Sequence, residues 1–275
     1  MMRTLNKIII SVFLVLTAII TIYPLLYVFS AAFSKGQSIS ALNIIPFGDG
    51  LYFDHFRYLF KETNYLNWFK NTLIVAVSTS ALTVLVASLS SYVFSRFRFM
   101  FKKTMMMALL ILQIFPSMLA MIAIYVLLLR LNALDTLWGL VLVYVAGNIP
   151  YNTWLVKSYI DTIPRSLDES ARIDGASHLK IFFKVIFPVA SPIITFLAII
   201  TFTAPWMDFI FPKMILRSPA KQTLALGLFG FVTDRKAEFG SFAAGSILVA
   251  IPFIIFFILA QKRMISSFGA GAVKE

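Results

Sequence analysis

The sequence holds few side chains that could carry out covalent chemistry, and these do not form a catalytic pattern. It has no cysteine, and its two histidines, His55 and His178, are too few and too far apart to form a metal site. The nearest match to a phosphate-binding P-loop, Gly240–Ser246, lacks the lysine that such a loop needs, so we interpret it as small-residue helix packing. We therefore expect no catalytic residue, no metal site and no nucleotide site in this chain.

The composition indicates that most of the surface faces lipid. Of the 275 residues, 60% are hydrophobic and 13% are charged, and the mean hydropathy is +0.88. A soluble domain has about 25% charged residues, so this composition excludes soluble enzymes, disordered chains and fibrous repeats. The net charge is +12. In a membrane protein such an excess indicates cytoplasmic loops and anionic lipid rather than nucleic acid.

Six uncharged apolar runs are long enough to cross a bilayer, which requires about 20 helical residues. Because the backbone must satisfy its own hydrogen bonds in lipid, we expect each run to form one helix, giving an all-α integral membrane protein with six transmembrane helices. The first run is too long for the apolar part of a signal peptide, so we expect it to remain as a span. The runs are Ile8–Ser34, Asn71–Ser95, Thr104–Leu129, Thr136–Val156, Val185–Met207 and Phe239–Gln261.

The distribution of lysine and arginine predicts the orientation of these spans. One set of loops carries 14 basic residues, and the other carries 10 that are spread over longer loops with seven of the 12 acids. The positive-inside rule then places both termini in the cytoplasm. The first set comprises residues 1–7, 96–103, 157–184 and 262–275, and the second comprises residues 35–70, 130–135 and 208–238.

The loop between the fourth and fifth runs predicts two short helices joined at a glycine. Ser166 and Glu169 have the spacing of a capping box, which would begin the first helix. Gly175 can adopt the left-handed conformation that ends a helix, and Ser177 can cap the next one, which should end before Pro188. Small apolar residues beside charged ones suit docking into a groove on another protein. The alternative is a solvated connector that lies on the bilayer surface.

This loop resembles a motif of one transporter family. The pattern consists of Glu169-Ser170-Ala171, Gly175 and Val185-x-Phe187-Pro188. It is similar to the EAA motif of binding-protein-dependent ABC importer permeases, with serine for the first alanine, valine for isoleucine and phenylalanine for leucine. Asp174 beside the glycine matches the form common in the sugar-importer branch.

The resemblance extends over nearly the whole chain. Phe242-Ala243-Ala244, Leu259-Ala260-Gln261-Lys262 and the tail Gly269–Lys274 are similar to the smaller permease subunit of maltose and maltodextrin transporters. The resemblance implies the type I ABC importer permease fold and a multi-pass protein of a bacterial or archaeal plasma membrane. It divides the chain into residues 1–34, an extracytoplasmic loop 35–70, a core 71–261 with the coupling loop 157–188, and a tail 262–275.

The family also implies the partners. They are a larger homologous permease, two cytoplasmic ATPase subunits, an extracytoplasmic sugar-binding protein and membrane lipid, with no nucleic acid. ATP and Mg²⁺ would bind to the ATPase, and this chain would bind no cofactor. The residues that would contact the ATPase are Glu169, Ser170, Ala171, Asp174, Gly175 and Pro188. The tail would either reach the ATPase pair or be a frayed end.

Three alternatives remain for the function. An ABC importer permease for another small solute is the nearest. A proton-coupled secondary transporter would need ionisable residues inside its spans, and only Asp208 approaches that description. A channel or scaffold subunit would have no use for the coupling motif.

Neutral polar and aromatic residues that interrupt the spans are candidates for the translocation pathway. A sugar is bound through hydroxyls and flat C–H faces, which neutral hydrogen-bonding groups and aromatic rings recognise. Helix packing and an interfacial aromatic belt are the alternative, and packing is the preferred interpretation for Trp206. The candidates are Gln113, Asn148, Asn152, Trp206 and Asp208.

Overall fold

The computed structural model describes residues 2–38, 46–48, 50–233 and 237–269, and over these residues it consists of helices and connecting segments without strands. The all-helical prediction is confirmed for this part of the chain. A π turn covers Phe182–Ile186 and a 3₁₀ turn covers Pro219–Lys221. The α-helices are α1 Met2–Ala32, α2 Asp54–Glu62, α3 Tyr65–Arg96, α4 Lys102–Ile114, α5 Ser117–Arg130, α6 Leu137–Thr162, α7 Ser166–Ile173, α8 His178–Ile181, α9 Phe187–Val189, α10 Ser191–Met207, α11 Ile210–Ile215, α12 Leu224–Thr233 and α13 Phe239–Gly269.

Three helices in the described part of the chain are long and apolar enough to cross a membrane, namely Asn6–Ala32, Tyr65–Arg96 and Phe239–Leu259. Two bent helix pairs raise the number to five if each pair is one span. The fourth apolar run forms α6, which is 26 residues long but is not among these candidates. The structure therefore accounts for up to five of the six predicted spans by length and apolarity.

The prediction of one helix per run is wrong for the third run. Between α4 and α5 the chain bends by 107°, at Phe115 and Pro116. Phe115 is extended, with ψ 123°, which is the conformation that a following proline imposes on its neighbour. Pro116 has no N–H to continue the helical hydrogen bonds, so the helix starts afresh at Ser117.

The prediction that the second short helix ends before Pro188 is also wrong. The chain stays helical from His178 to Val189, and the bend of 83° comes at Ala190. Pro188 lies inside this continuous helical stretch, just after the π turn Phe182–Ile186, where the regular α-helical hydrogen bonds are already interrupted. The prediction of one helix per run is therefore also wrong for the fifth run, Val185–Met207, which the bend at Ala190 divides into two helices.

The chain forms two compact units, and the first combines residues 1–66 with 227–252. Within it, the described side chains of α1 from residue 8 to residue 26 are exposed, whereas Ala31 and Ala32 are buried. The Tyr65 hydroxyl donates a hydrogen bond of 3.3 Å to the carbonyl of Gly245. Glycine in α13 permits close packing, because a Cβ at Gly245 would overlap Leu228.

His55 lies buried in α2 of this first unit rather than in an open loop. Its ring occupies the space that a Cβ at Gly240 would fill, which agrees with the small-residue packing predicted for Gly240–Ser246. Burial lowers the pKa of His55 below its usual range, although the carbonyl of Ser34 acts in the opposite direction. His55 is thus a neutral packing residue at neutral pH.

The second unit combines residues 67–226 with 253–275 and contains two apolar cores. One core joins α3, α6, the segment 178–190 and α10. The other joins α3, α5, α6 and α11 with the residues that follow α11. The first comprises Ala87, Tyr92, Val156, Ile160, Ile163, Ile181, Phe182, Ile186, Ala190, Ile194 and Leu197, and the second comprises Val75, Leu128, Ala133, Leu140, Val141, Tyr144, Val145, Ile215, Leu216 and Leu226.

Residues 217–224 of this unit are fixed from two sides. The carboxylate of Asp135 accepts hydrogen bonds from the backbone amides of Arg217 and Ser218, each 2.9 Å long, and from the Ser218 hydroxyl at 2.5 Å. From the other side, the Asn71 amide donates to the carbonyls of Ala220 and Gln222, each at 2.9 Å. This segment is therefore a rigid surface feature despite having only one short 3₁₀ turn.

We expect Asp135→Ala to lower the stability of the chain by about 2 kcal/mol, because two backbone amides lose a charged acceptor. Hydrogen bonds from Ser218 lower the pKa of Asp135, so its stabilising effect is complete above the ordinary carboxyl pKa and is lost as pH falls through the lower folded value. The measurement is the thermal unfolding temperature in detergent at pH 7. Asp54→Ala, at an exposed residue, is the control, and equal effects of the two changes would contradict the prediction.

Candidate functional site

The predicted pair of short helices is present, but the first begins differently from its prediction. α7 starts at Ser166, its N-cap is Arg165, and no side chain caps it. The predicted capping box of Ser166 and Glu169 is therefore wrong, because Ser166 is already helical and its hydroxyl does not occupy the capping position. Asp168 and Glu169 lie in the first turn, where the helix dipole favours acidic groups.

The glycine turn between the two helices is confirmed. Gly175 has φ +76°, and a Cβ there would have no atom within 4 Å, so only its backbone conformation requires glycine. The amide of Ala176 donates a 3.0 Å hydrogen bond to the carbonyl of Ala171, which closes the end of α7. Ser177 caps α8 by accepting a hydrogen bond of 3.4 Å from the amide of Lys180.

The turn presents apolar side chains to the outside. Ile173 is 87% exposed, and Leu167 and Leu179 are exposed as well. Most of the predicted contact residues share this exposure, while Ala171 is half-buried against the core below. The exposed residues are Glu169, Ser170, Asp174, Gly175 and Pro188. Apolar and charged side chains are thus accessible along α7, the Gly175 turn and α8.

The opposite side of α7 is anchored by charge. Asp168 is buried, and its Oδ2 atom lies 2.9 Å from Nε of Arg96, the last residue of α3. Nη2 of the same arginine donates to the carbonyl of Ile163, at the end of α6, over 2.9 Å. The sequence did not reveal this contact, because Arg96 counted only among the basic residues of the loop 96–103 that orient the spans. No spacing signal links two residues so far apart in the chain.

A cavity of about 900 Å³ lies between the bend of α4 and α5 and the middle of α6. Gln113 and Asn148 from the predicted pathway line it, together with Phe115, Tyr144 and Phe211. Most of its other lining residues are aliphatic, and none of its lining residues is charged. A cavity with apolar walls and a few neutral polar groups suits an uncharged ligand that carries hydroxyls.

The remaining three pathway candidates do not line this cavity. Asn152 is 2% exposed, and its amide donates a 2.7 Å hydrogen bond to the carbonyl of Asn148. Trp206 is 2% exposed and packs against three phenylalanines, as the preferred interpretation predicted. Those rings belong to Phe69, Phe202 and Phe253.

Asp208 acts on the cavity through a residue that the sequence did not indicate. One of its carboxylate oxygens accepts a 2.8 Å hydrogen bond from the hydroxyl of Tyr144, and the other accepts one of 2.8 Å from the amide of Ile210. Asp208 therefore holds the Tyr144 ring in place at the cavity wall and also accepts a hydrogen bond from the first amide of α11. The polar interruption of α6 that identified Asn148 could have been extended by one turn to Tyr144.

Comparison with known proteins places these features in context. The model of the family described as "Binding-protein-dependent transport system inner membrane component" matches residues 83–263. The maltodextrin transport system permease protein MdxG of Bacillus subtilis (strain 168) is 44% identical over 99% of this chain and 98% of its own length. The galactooligosaccharides transport system permease protein GanQ of the same organism is 41% identical over 94% of this chain and 92% of its own length.

A solved structure has the same fold. It is a bacterial ABC transporter involved in the import of the acidic polysaccharide alginate, and one of its chains superposes with a TM-score of 0.80. The match covers 94% of this chain and 96% of that chain at 21% identity. This similarity of the backbones supports the type I importer permease fold that was predicted from the loop motif.

We expect Gly175→Ala to destabilise the turn by about 1 kcal/mol, because a Cβ disfavours the left-handed conformation, whereas Gly175→Asn should be tolerated better. The measurement is the rate at which a protease cleaves the segment 157–190 of the chain in detergent. Gly230→Ala is the control, since Gly230 is helical and has no atom near its Cβ position. Equal cleavage rates for all three variants would show that the glycine is not required.

Proposed function

Because the chain belongs to the family of binding-protein-dependent transport system inner membrane components, we propose that it is a permease subunit of an ATP-driven oligosaccharide importer. A maltodextrin-like substrate is preferred. The observation that carries the proposal is the exposed two-helix turn at residues 166–181. This turn is accessible, and its sequence contains the first part of the EAA-like pattern, Glu169-Ser170-Ala171 and Gly175. The chain performs no covalent chemistry in this function.

The turn is the contact with the motor. In the proposed complex, α7 and the Gly175 turn dock on a cytoplasmic ATPase, which binds ATP and Mg²⁺ in place of this chain. The exposed side chains of Leu167, Ile173 and Leu179 supply apolar contact area, and Glu169 and Asp174 supply charge. Six residues form the proposed contact, namely Glu169, Ser170, Ala171, Asp174, Gly175 and Pro188.

The topology follows from the same proposal. The loops 96–103 and 157–184 face the cytoplasm with both chain ends, consistent with their basic residues. The segment 217–224 then faces the outside, where its rigidity suits contact with an extracytoplasmic sugar-binding protein. The exposed apolar surface of α1 is available to lipid and to a larger partner permease. The protein resides in the plasma membrane of a bacterium or archaeon.

The cavity beside α6 is this chain's part of the translocation pathway. Gln113 and Asn148 offer neutral hydrogen-bonding groups, and Phe115 and Phe211 offer rings to the C–H faces of a sugar. The absence of charge among the lining residues fits a neutral oligosaccharide. The bend at Pro116 leaves the backbone irregular at the cavity wall, which membranes tolerate where helices line a cavity.

A galactooligosaccharide is the second candidate substrate. The 41% identity to GanQ is close to the 44% identity to MdxG, so sequence identity alone gives little preference for one substrate over the other. Both candidates are neutral oligosaccharides and would use the same neutral cavity. Uptake measurements with each sugar separate them.

We expect the tagged chain, purified from its host in mild detergent, to carry a second permease and an ATPase with it. Reconstituted with its sugar-binding protein, the complex should import labelled maltotriose faster than galactotriose, and the chain alone should hydrolyse no ATP above background. Recovery of the chain without an ATPase would overturn the proposal. Faster uptake of galactotriose would replace the substrate and keep the class.

We expect Asn148→Ala to slow maltotriose uptake about two- to tenfold, because one hydrogen bond to the sugar contributes about 0.5–1.5 kcal/mol. The amount of assembled complex should stay unchanged. Thr21→Val is the control, because Thr21 is exposed on α1 and its hydroxyl bonds to the carbonyl of Thr17. Unchanged uptake in Asn148→Ala would remove this residue from the pathway.

A further inference from the structure

The ion pair between Arg96 and Asp168 is nearly shielded from water. The two side chains are 7% and 12% exposed, and their closest atoms are 2.9 Å apart. Tyr92, one helical turn before Arg96 on α3, lines the same small cavity as Arg96 and Asp168. Because a buried charge that loses its partner is strongly unfavourable, the pair fixes where α7 can lie.

Arg96 belongs to a small cluster of polar contacts, which we call the clamp and define as Ser95, Arg96, Asp161, Arg165 and Asp168. The Ser95 hydroxyl donates a 2.6 Å hydrogen bond to the carboxylate of Asp161 near the end of α6. The Arg165 guanidinium donates one of 3.3 Å to the carbonyl of Ser95. The clamp therefore joins the ends of α3 and α6 to the start of α7.

The chain segments on either side of α7 would not by themselves fix the orientation of this helix. On its N-terminal side, Ile163 is extended with ψ 125°, and on its C-terminal side Gly175 is left-handed, so neither connection continues the helix. The apolar contact that α7 makes through Ala171 is small. A force applied to the exposed side of α7 would then rotate this helix instead of moving the membrane helices.

We propose that Arg96 is a positioning residue that ties α7 to α3, so that movement of the docked turn is passed to the membrane-spanning part of α3. This inference rests on the proposed function, since it needs an ATPase that moves the turn. Arg96 itself is nearly buried and does not line the proposed sugar cavity. Its role is distinct from ordinary stabilisation, because it predicts loss of coupling in a complex that still assembles.

The test uses the complete transporter, purified through a tag on this chain and reconstituted with its sugar-binding protein. The variants are Arg96→Gln, Asp168→Asn and the exchanged pair R96D/D168R. Lys103→Gln is the matched control, because it removes one positive charge from the same loop at an exposed position. The readouts are maltotriose uptake, ATP hydrolysis with and without sugar, and the amount of ATPase that co-purifies.

We expect each single variant to retain the co-purifying ATPase subunit and its rate of ATP hydrolysis. The amount of maltotriose imported per ATP hydrolysed should fall about tenfold or more, the order expected for breaking one buried charge pair. The exchanged pair should recover at least part of the lost uptake, and Lys103→Gln should match the original chain. Equal coupling in Arg96→Gln and Lys103→Gln, or an exchanged pair that assembles but recovers nothing, would overturn the inference.

Arg96→Lys covers the case in which the single variants do not accumulate. Lysine keeps the charge beside Asp168 but cannot also hold the Ile163 carbonyl with a planar fork, so we expect assembly with reduced, measurable coupling. If Arg96→Lys assembles without any coupling, or does not assemble, the pair does not act as proposed. If the original chain imports no sugar, the proposed function fails and the inference fails with it, which differs visibly from a loss confined to the variants.

Discussion

A backbone amide that faces hydrocarbon has no water to bond with, and this constraint governs the architecture of the chain. Its apolar residues are therefore largely helical, and the bend between α4 and α5 falls at Pro116, which has no N–H that would need a partner. The bend at Pro116 borders the cavity, and the bend at Ala190 follows directly after the core segment that supports α7. Both bends lie beside a proposed functional feature, the first beside the cavity and the second beside the two-helix turn. Regular helix is therefore interrupted next to the proposed sites.

Two charged side chains of the second unit follow a related rule, because both act at the ends of helices. Asp135 holds the segment 217–224 through backbone amides, and Arg96 holds the ends of α6 and α7. In both cases one charged side chain joins parts of the chain that are distant in sequence. Charged anchors are thus placed at the two surfaces where partners are proposed to bind, whereas the middle of α3 contacts α6 and α10 through neutral hydroxyls such as those of Ser80 and Ser91.

Much of the fold and of the two-helix turn at residues 166–181 could be predicted from the sequence, because the signals are local. Apolar runs located helices, and the conformations of Gly175 and Ser177 followed from their residue types. The capping box failed because the capping position fell one residue earlier than the pattern required. The role of Arg96 was not predictable, since the partner of a charge is decided by packing between helices that are far apart in the chain. Trp206 and Asn152 are buried, whereas Asn148 lines the cavity. This difference was not predictable either, because burial depends on neighbouring helices that no local pattern encodes.

The exposed length of α1 has a consequence for how the protein is made. Within the chain, the apolar window of this helix buries none of its residues, and its backbone hydrogen bonds are internal. Apart from its buried end at Ala31 and Ala32, this helix gains little from the rest of the fold and can enter the bilayer while later segments are still on the ribosome. Its apolar surface is then covered by lipid and stays accessible to the proposed second permease. Membrane insertion of this helix therefore does not require the core of the chain to be formed first.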